Sequence, residues 1–197
     1  MNLPNKISLF RICLIPVFIF LYVFPFSNYG VSLGSFEIMD TSISMRFIYC
    51  LLVFCIASFT DFLDGAIARK YNLITTFGKF LDPIADKLLV NSAFILLAFD
   101  HTIPVVFVIV MIARDTIVDA MRMMCANKGV VVAARMSGKA KTVLQMSTVI
   151  FALLHEVDVR IVGMQLYMIL LWLAMFASVY SGISYFQQMK TYVMESK

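Results

Sequence analysis

The chain has 197 residues, of which 61% are hydrophobic and only 14% charged, with a mean hydropathy of +0.90; that is a single-domain length with a composition outside the soluble globular range. Its apolar residues fall in runs of about 20 separated by polar breaks, which excludes a transmembrane barrel of alternating strands and points to membrane-spanning helices. The net charge of +4 reads as a positive-inside effect with a possible anion site, and is no argument for a nucleic-acid partner.

Six apolar runs are predicted to span the bilayer, over residues 10–26, 45–69, 84–99, 103–124, 140–154 and 162–185. Residues 1–197 then form one all-α integral membrane domain. The first run has Lys6 ahead of it and Arg11 at its start but no small-residue cleavage site near its end, so it reads as a span and not as a removed signal peptide. Arg11 is placed to snorkel to the surface, and Pro16 should kink or loosen the helix. Residues 27–44 read as a solvated external connection without chemistry.

The second span ends in Asp61, Asp64, Gly65, Ala68 and Arg69, and the third begins with Gly78, Asp82, Pro83 and Asp86. On helices Asp61 and Asp64 share one face, as do Asp82 and Asp86, so the two pairs can converge. Four of the twelve carboxylates of the chain lie in this stretch, beside apolar helices, where an uncompensated charge costs roughly 2.5 kcal/mol or more. Helix-dipole stabilisation of about 0.3 to 1 kcal/mol does not account for four of them. With no His or Cys nearby, an all-oxygen site is expected to take a hard divalent ion, Mg²⁺ or Mn²⁺, and two such ions balance four negative charges. Gly65 and Ala68 leave a strip where a bulky group can approach the backbone; close helix packing is the better account of the small residues in isolation, and the neighbouring carboxylates reverse that preference. Arg69 offers a forked cation to phosphate oxygens, and Pro83 suits a first helical turn.

Further along, Arg114, Asp115, Asp119 and Arg122 sit within the fourth span, where ionisable side chains are functional candidates. The arginines are expected to bind an anion. Asp115 and Asp119 stay open between ion-pair struts and a supporting role behind the metal. Arg135, Lys139 and Lys141 form a cationic approach to the fifth span. Tyr167, Trp172, Tyr180 and Tyr185 look like lipid-facing and interfacial anchors, His101 and His155 like surface residues, and Cys13, Cys50, Cys55 and Cys125 like buried small hydrophobes. With six spans, Lys6, Lys70, Lys79, Lys128, Arg135, Lys139, Lys141, Lys190 and Lys197 share a side, which makes it cytoplasmic together with both termini and the acid site.

A cytoplasmic, membrane-embedded set of four carboxylates flanked by Arg69, Arg114, Arg122 and Lys139 suits metal-dependent reaction of a phosphate ester on a lipid substrate. Asp61-x2-Asp64-Gly65-x2-Ala68-Arg69-x8-Gly78-x3-Asp82-x3-Asp86 resembles the signature of the CDP-alcohol phosphotransferase family at every signature position. The resemblance implies a six-helix membrane fold, a homodimer, and transfer of a phosphatidyl or alcohol-phosphate group with release of CMP. It implies that Asp61, Asp64 and Asp82 bind metal, that Asp86 is the general base and also touches a metal, and that Asp64, Gly65, Ala68, Arg69 and Gly78 hold the CDP moiety.

The start, Asn2-Leu3-Pro4-Asn5-x-Ile7-Ser8-x2-Arg11 with Pro16, and the segment Gly138-Lys139-x-Lys141-Thr142-x2-Gln145 are similar to family members whose acceptor is sn-glycerol 3-phosphate. The similarity implies that the acceptor's 1-hydroxyl attacks the β-phosphorus of CDP-diacylglycerol. Its phosphate would go to Arg114, Arg122 and Lys139 first, with Arg135 and Lys141 also available. The core motif alone does not name the alcohol, so serine or inositol phosphate remain alternative acceptors. A cation or proton transporter would also bury acids, but internal repeats and a helix broken at midplane are both missing from the sequence.

Overall fold

The computed structural model describes residues 3–30, 33–38, 41–70, 76–130, 132, 136–155, 157, 159–161 and 163–194; residues 3–5, 38, 41, 62, 64–70, 76–83 and 193 are described by backbone alone. Within them the fold is six helices: α1 (Leu3–Val23), α2 (Met45–Lys70), α3 (Thr76–Phe99), α4 (Val105–Asn127), α5 (Met136–Leu153) and α6 (Leu166–Met194). Two short antiparallel hairpins complete it, β1 (Ser35–Ile38) with β2 (Thr41–Ser44), and β3 (Arg160–Ile161) with β4 (Met164–Gln165). Among the described residues two helices are long and apolar enough to cross a membrane by length and composition, over Lys6–Val23 and Leu166–Tyr192.

Apolar residues at helical spacing build the core. Ile15, Phe18 and Tyr22 of α1 meet Phe47, Cys50, Phe54 and Ala57 of α2, and Leu89, Ala93 and Leu97 of α3 close the layer. On the other side α6 packs broadly against α5 and α4. Small buried residues on its inner face, Ala174, Ser178 and Ser181, allow that approach. A second cluster of Val118, Met121, Cys125, Tyr185 and Met189 joins the far ends of α4 and α6.

Several expectations are corrected. α3 starts at Thr76, so Pro83 lies inside the helix and not in its first turn; the surrounding apolar helix absorbs one missing backbone bond. The connection after α1 is not featureless: it holds a 3-10 turn at Phe26–Tyr29 and the β1–β2 hairpin, whose Ile43 is fully buried. Cys50 and Cys125 are buried, but Cys13 and Cys55 are exposed on the apolar exterior, and all four thiols are free.

The two ends of the bundle differ in chemistry. At one, Arg46 lies over the Tyr22 and Phe47 rings and 3.8 Å from Asp100, while Phe47 also takes the edge of His155. His155 is thus half-buried against an aromatic ring and not a surface histidine, whereas His101 is exposed in the left-handed turn that ends α3. The other end gathers the end of α2, the start of α3, the second half of α4 and the start of α5, and carries the remaining ion pairs.

Candidate functional site

α1 packs against both α2 and α3, which brings Arg11 between Asp61 and Asp86. Its Nη1 donates to Asp61 Oδ1 and, at 2.7 Å, to Asp86 Oδ1. The Arg11 side chain is fully buried while the two carboxylates remain 29% and 39% exposed. Arg11 therefore does not snorkel; it is the counter-charge of the acids. The reason for the miss is distance in the chain, because 50 and 75 residues separate it from its partners and no local pattern joins them.

Two acid oxygens from separate helices converge on one cationic nitrogen, and carboxylate oxygens are the donors that a hard divalent ion takes. Among the described residues no three His, Cys, Asp or Glu side chains cluster closely enough for a metal. Asp64 and Asp82, half of the expected ligand set, lie outside the described side chains, as do Gly65, Ala68, Arg69 and Gly78 of the expected CDP site; Arg135 lies outside the described residues altogether.

Beside Asp86 opens a cavity of about 340 Å³ between α3, α4, α5 and α6. Its wall carries five cations, Lys87, Arg114, Arg122, Lys139 and Lys141, against three carboxylates, Asp86, Asp115 and Asp119. Four of the five residues expected to hold the acceptor phosphate thus line one space, with the expected general base at its edge. The excess of positive charge matches a phosphate dianion.

The cations are not equivalent. Lys141 places its Nζ 2.5 Å from both oxygens of Asp115, and Arg114 Nη1 donates to the same carboxylate at 2.7 Å. Each member of this triad is 8 to 13% exposed, so Lys141 is neutralised by its partner and Asp115 is an ion-pair strut between α4 and α5. Lys87 is paired with Asp119 across α3 and α4. Arg122 and Lys139 make no ion pair among the described residues. The Nε–H groups of Arg114 and Arg122 are buried without an acceptor, and a buried unpaired donor costs about 1 to 3 kcal/mol.

Residues beyond the sequence-based expectation line the wall or support it from behind. Tyr185 is not an interfacial anchor: it is 3% exposed, and its hydroxyl accepts from Arg122 Nη2 at 3.1 Å. Ser181 accepts from Arg114 Nη2 at 2.7 Å. Their signal in the sequence is faint, one polar residue per turn on the inner stripe of an apolar helix. Gln145 turns inward and donates to Met111 Sδ at 3.2 Å, serving the packing of α4 on α5.

In this six-helix chain Asp86 of α3 stands at the edge of a cationic cavity and shares Arg11 with Asp61 of α2, a charge pattern suited to a phosphate-bearing substrate. The sequence model of the CDP-alcohol phosphatidyltransferase family matches residues 1–180, and the chain belongs to that family. The chain is 45% identical over 187 residues to the CDP-diacylglycerol--glycerol-3-phosphate 3-phosphatidyltransferase of Bacillus subtilis (strain 168), spanning 95% of this chain and 94% of the relative. Relatives of the same name from Rickettsia typhi (strain ATCC VR-144 / Wilmington) and Rickettsia bellii (strain RML369-C) are 37% and 38% identical over 192 residues, spanning 97% of this chain in each case and 98% and 97% of the relatives.

Proposed function

We propose that this chain transfers the phosphatidyl group of CDP-diacylglycerol to sn-glycerol 3-phosphate, giving phosphatidylglycerophosphate and CMP. The observation that carries this reading is the end-to-end similarity to relatives named for that reaction. The cavity beside Asp86 supplies a matching chemistry, an excess of cations for an acceptor that carries a phosphate.

Arg114, Arg122 and Lys139 would bind the acceptor's phosphate, with Lys141 and Arg135 contributing to the field, and so hold the 1-hydroxyl toward Asp86. Asp86 takes the hydroxyl proton as the new bond to the β-phosphorus forms and the bond to CMP breaks. Asp64, Gly65, Ala68, Arg69 and Gly78 would hold the CDP moiety. Asp61, Asp64 and Asp82, with Asp86 adjoining, would hold two divalent ions, Mg²⁺ or Mn²⁺. When bound, such ions polarise the phosphoryl oxygens and stabilise the leaving phosphate.

The helices would all cross the bilayer as six spans. Large apolar side chains such as Phe20, Phe59, Val106, Val143 and Phe176 are more than half exposed on five helices, a surface suited to lipid. Both termini and the acid end would be cytoplasmic, supported by the Lys and Arg bias, and the family resemblance supports a homodimer. The test is CMP release by purified protein given CDP-diacylglycerol and one acceptor at a time. Release is expected with sn-glycerol 3-phosphate; release with serine or inositol phosphate instead would refute the assignment.

A further inference from the structure

Two arginines on one helix face repel each other, and something must hold Arg114 and Arg122 in place before any anion arrives. Tyr185 stands under both. Its ring centroid lies 5.8 Å from the Arg114 Cζ and 4.8 Å from the Arg122 Cζ, within cation–π range. Its hydroxyl takes the Arg122 Nη2 hydrogen bond, and Ser181, one turn earlier, takes that of Arg114 Nη2. With Asp115 on Arg114 Nη1, these contacts fix both guanidinium groups while each Nε–H stays buried without an acceptor.

Two glycines keep the arrangement open. A Cβ at Gly138 would lie 3.3 Å from the Tyr185 hydroxyl, and one at Gly182 would lie 3.1 Å from Arg114 Cγ. Both contacts are closer than side chains ordinarily make, so glycine lets α5 close on the tyrosine and α6 on the arginine.

We propose that Tyr185 is a specificity-determining positioning residue, which holds Arg114 and Arg122 as a paired receptor and so restricts the acceptor to alcohols that carry a phosphate. The inference rests on the acceptor reading above. Its physical basis is charge: the two held guanidinium groups line the cavity, so an acceptor's phosphate compensates cations that an alcohol without a phosphate leaves uncompensated. Tyr185 itself touches no reacting atom.

Steady-state kinetics on both substrates, with calorimetric binding of sn-glycerol 3-phosphate, test it in Tyr185→Phe and Tyr185→Leu. Losing ring and hydroxyl in Tyr185→Leu should raise the sn-glycerol 3-phosphate KM and Kd at least about tenfold, and losing the hydroxyl alone in Tyr185→Phe about threefold, with kcat and the CDP-diacylglycerol KM within about twofold of wild type. Gly138→Ala, which presses on the hydroxyl, should shift the same KM in the same direction as Tyr185→Phe. Equal rises in both KM values, or a fall in kcat with the acceptor KM unchanged, would overturn the positioning role. Wild-type protein that releases no CMP with sn-glycerol 3-phosphate would overturn the acceptor reading and this inference together. Normal wild-type turnover with wild-type-like Tyr185 variants would overturn this inference alone. The Phe variant keeps the buried ring, so the result stands even where Leu disturbs folding.

Discussion

Asp61 and Asp86 share the guanidinium of Arg11 yet keep 29% and 39% of their side chains exposed, while Asp115, shared by Arg114 and Lys141, is sealed at 8%. Both clusters lie at the same end of the bundle, and in both a carboxylate and a cation meet across helices. The difference lies in which partner is buried. In the first cluster the cation is hidden and the acids face outward, so the acids stay available to a ligand. In the second the acid is hidden and two cations close over it, so its charge is spent on holding α4 to α5. A carboxylate's role in this chain therefore follows from its exposure and its partners, not from its presence in a span.

Substitutions at the open and sealed acids should separate the two roles. The largest effect is expected at Asp86→Asn, which should lower kcat by about 10²- to 10⁴-fold, the usual worth of a general base, with a small change in melting temperature. Stability, not turnover, should respond first at Asp115→Asn, because removing one partner of a buried ion pair costs about 3 to 5 kcal/mol. Thermal unfolding in detergent reads this, and pairing Asp115→Leu with Lys141→Met should recover part of the loss. A stable but inactive Asp115→Asn would erase the distinction between the clusters.

Arg122→Ala sharpens the boundary from the cavity side. It should raise the sn-glycerol 3-phosphate KM about tenfold to a hundredfold, the range of a charge-assisted hydrogen bond, and Lys139→Ala should raise it far more than the CDP-diacylglycerol KM. An equal effect on both substrates would remove either residue from the acceptor site. The smallest effect belongs to the opposite end, where Arg46→Ala breaks a half-exposed 3.8 Å pair with Asp100. With the contacts to the Tyr22 and Phe47 rings lost as well, that should cost about 1 to 2 kcal/mol of stability and leave both KM values unchanged.

Much of this was legible in the sequence because it is local. The six apolar runs, the acids at i and i+3 or i+4, and the charged residues of α4 follow from spacing along single helices, and the helix bounds differ from the predicted ones mainly where polar turns extend them, as α3 does back to Thr76 and α6 on to Met194. What was not legible depends on contacts between helices. Arg11 looked like any flanking cation until α1 was seated between α2 and α3, and Tyr185 looked like one more interfacial aromatic until α6 turned it toward Arg122. Lys141 likewise reads as a free cation in the sequence and is paired in the fold. Composition near the ends of spans does not say which charges will meet.

The central claim is that the exposed acids perform the chemistry, with divalent metal, on an acceptor held in the adjoining cavity. Its most direct test is CMP release from CDP-diacylglycerol and sn-glycerol 3-phosphate by wild type and Asp86→Asn, before and after EDTA treatment and with Mg²⁺ or Mn²⁺ restored. Wild type is expected to fall silent on chelation and recover with metal, while Asp86→Asn stays silent but still binds sn-glycerol 3-phosphate. Full turnover in the chelated enzyme, or an Asp86→Asn rate within about tenfold of wild type, would contradict it.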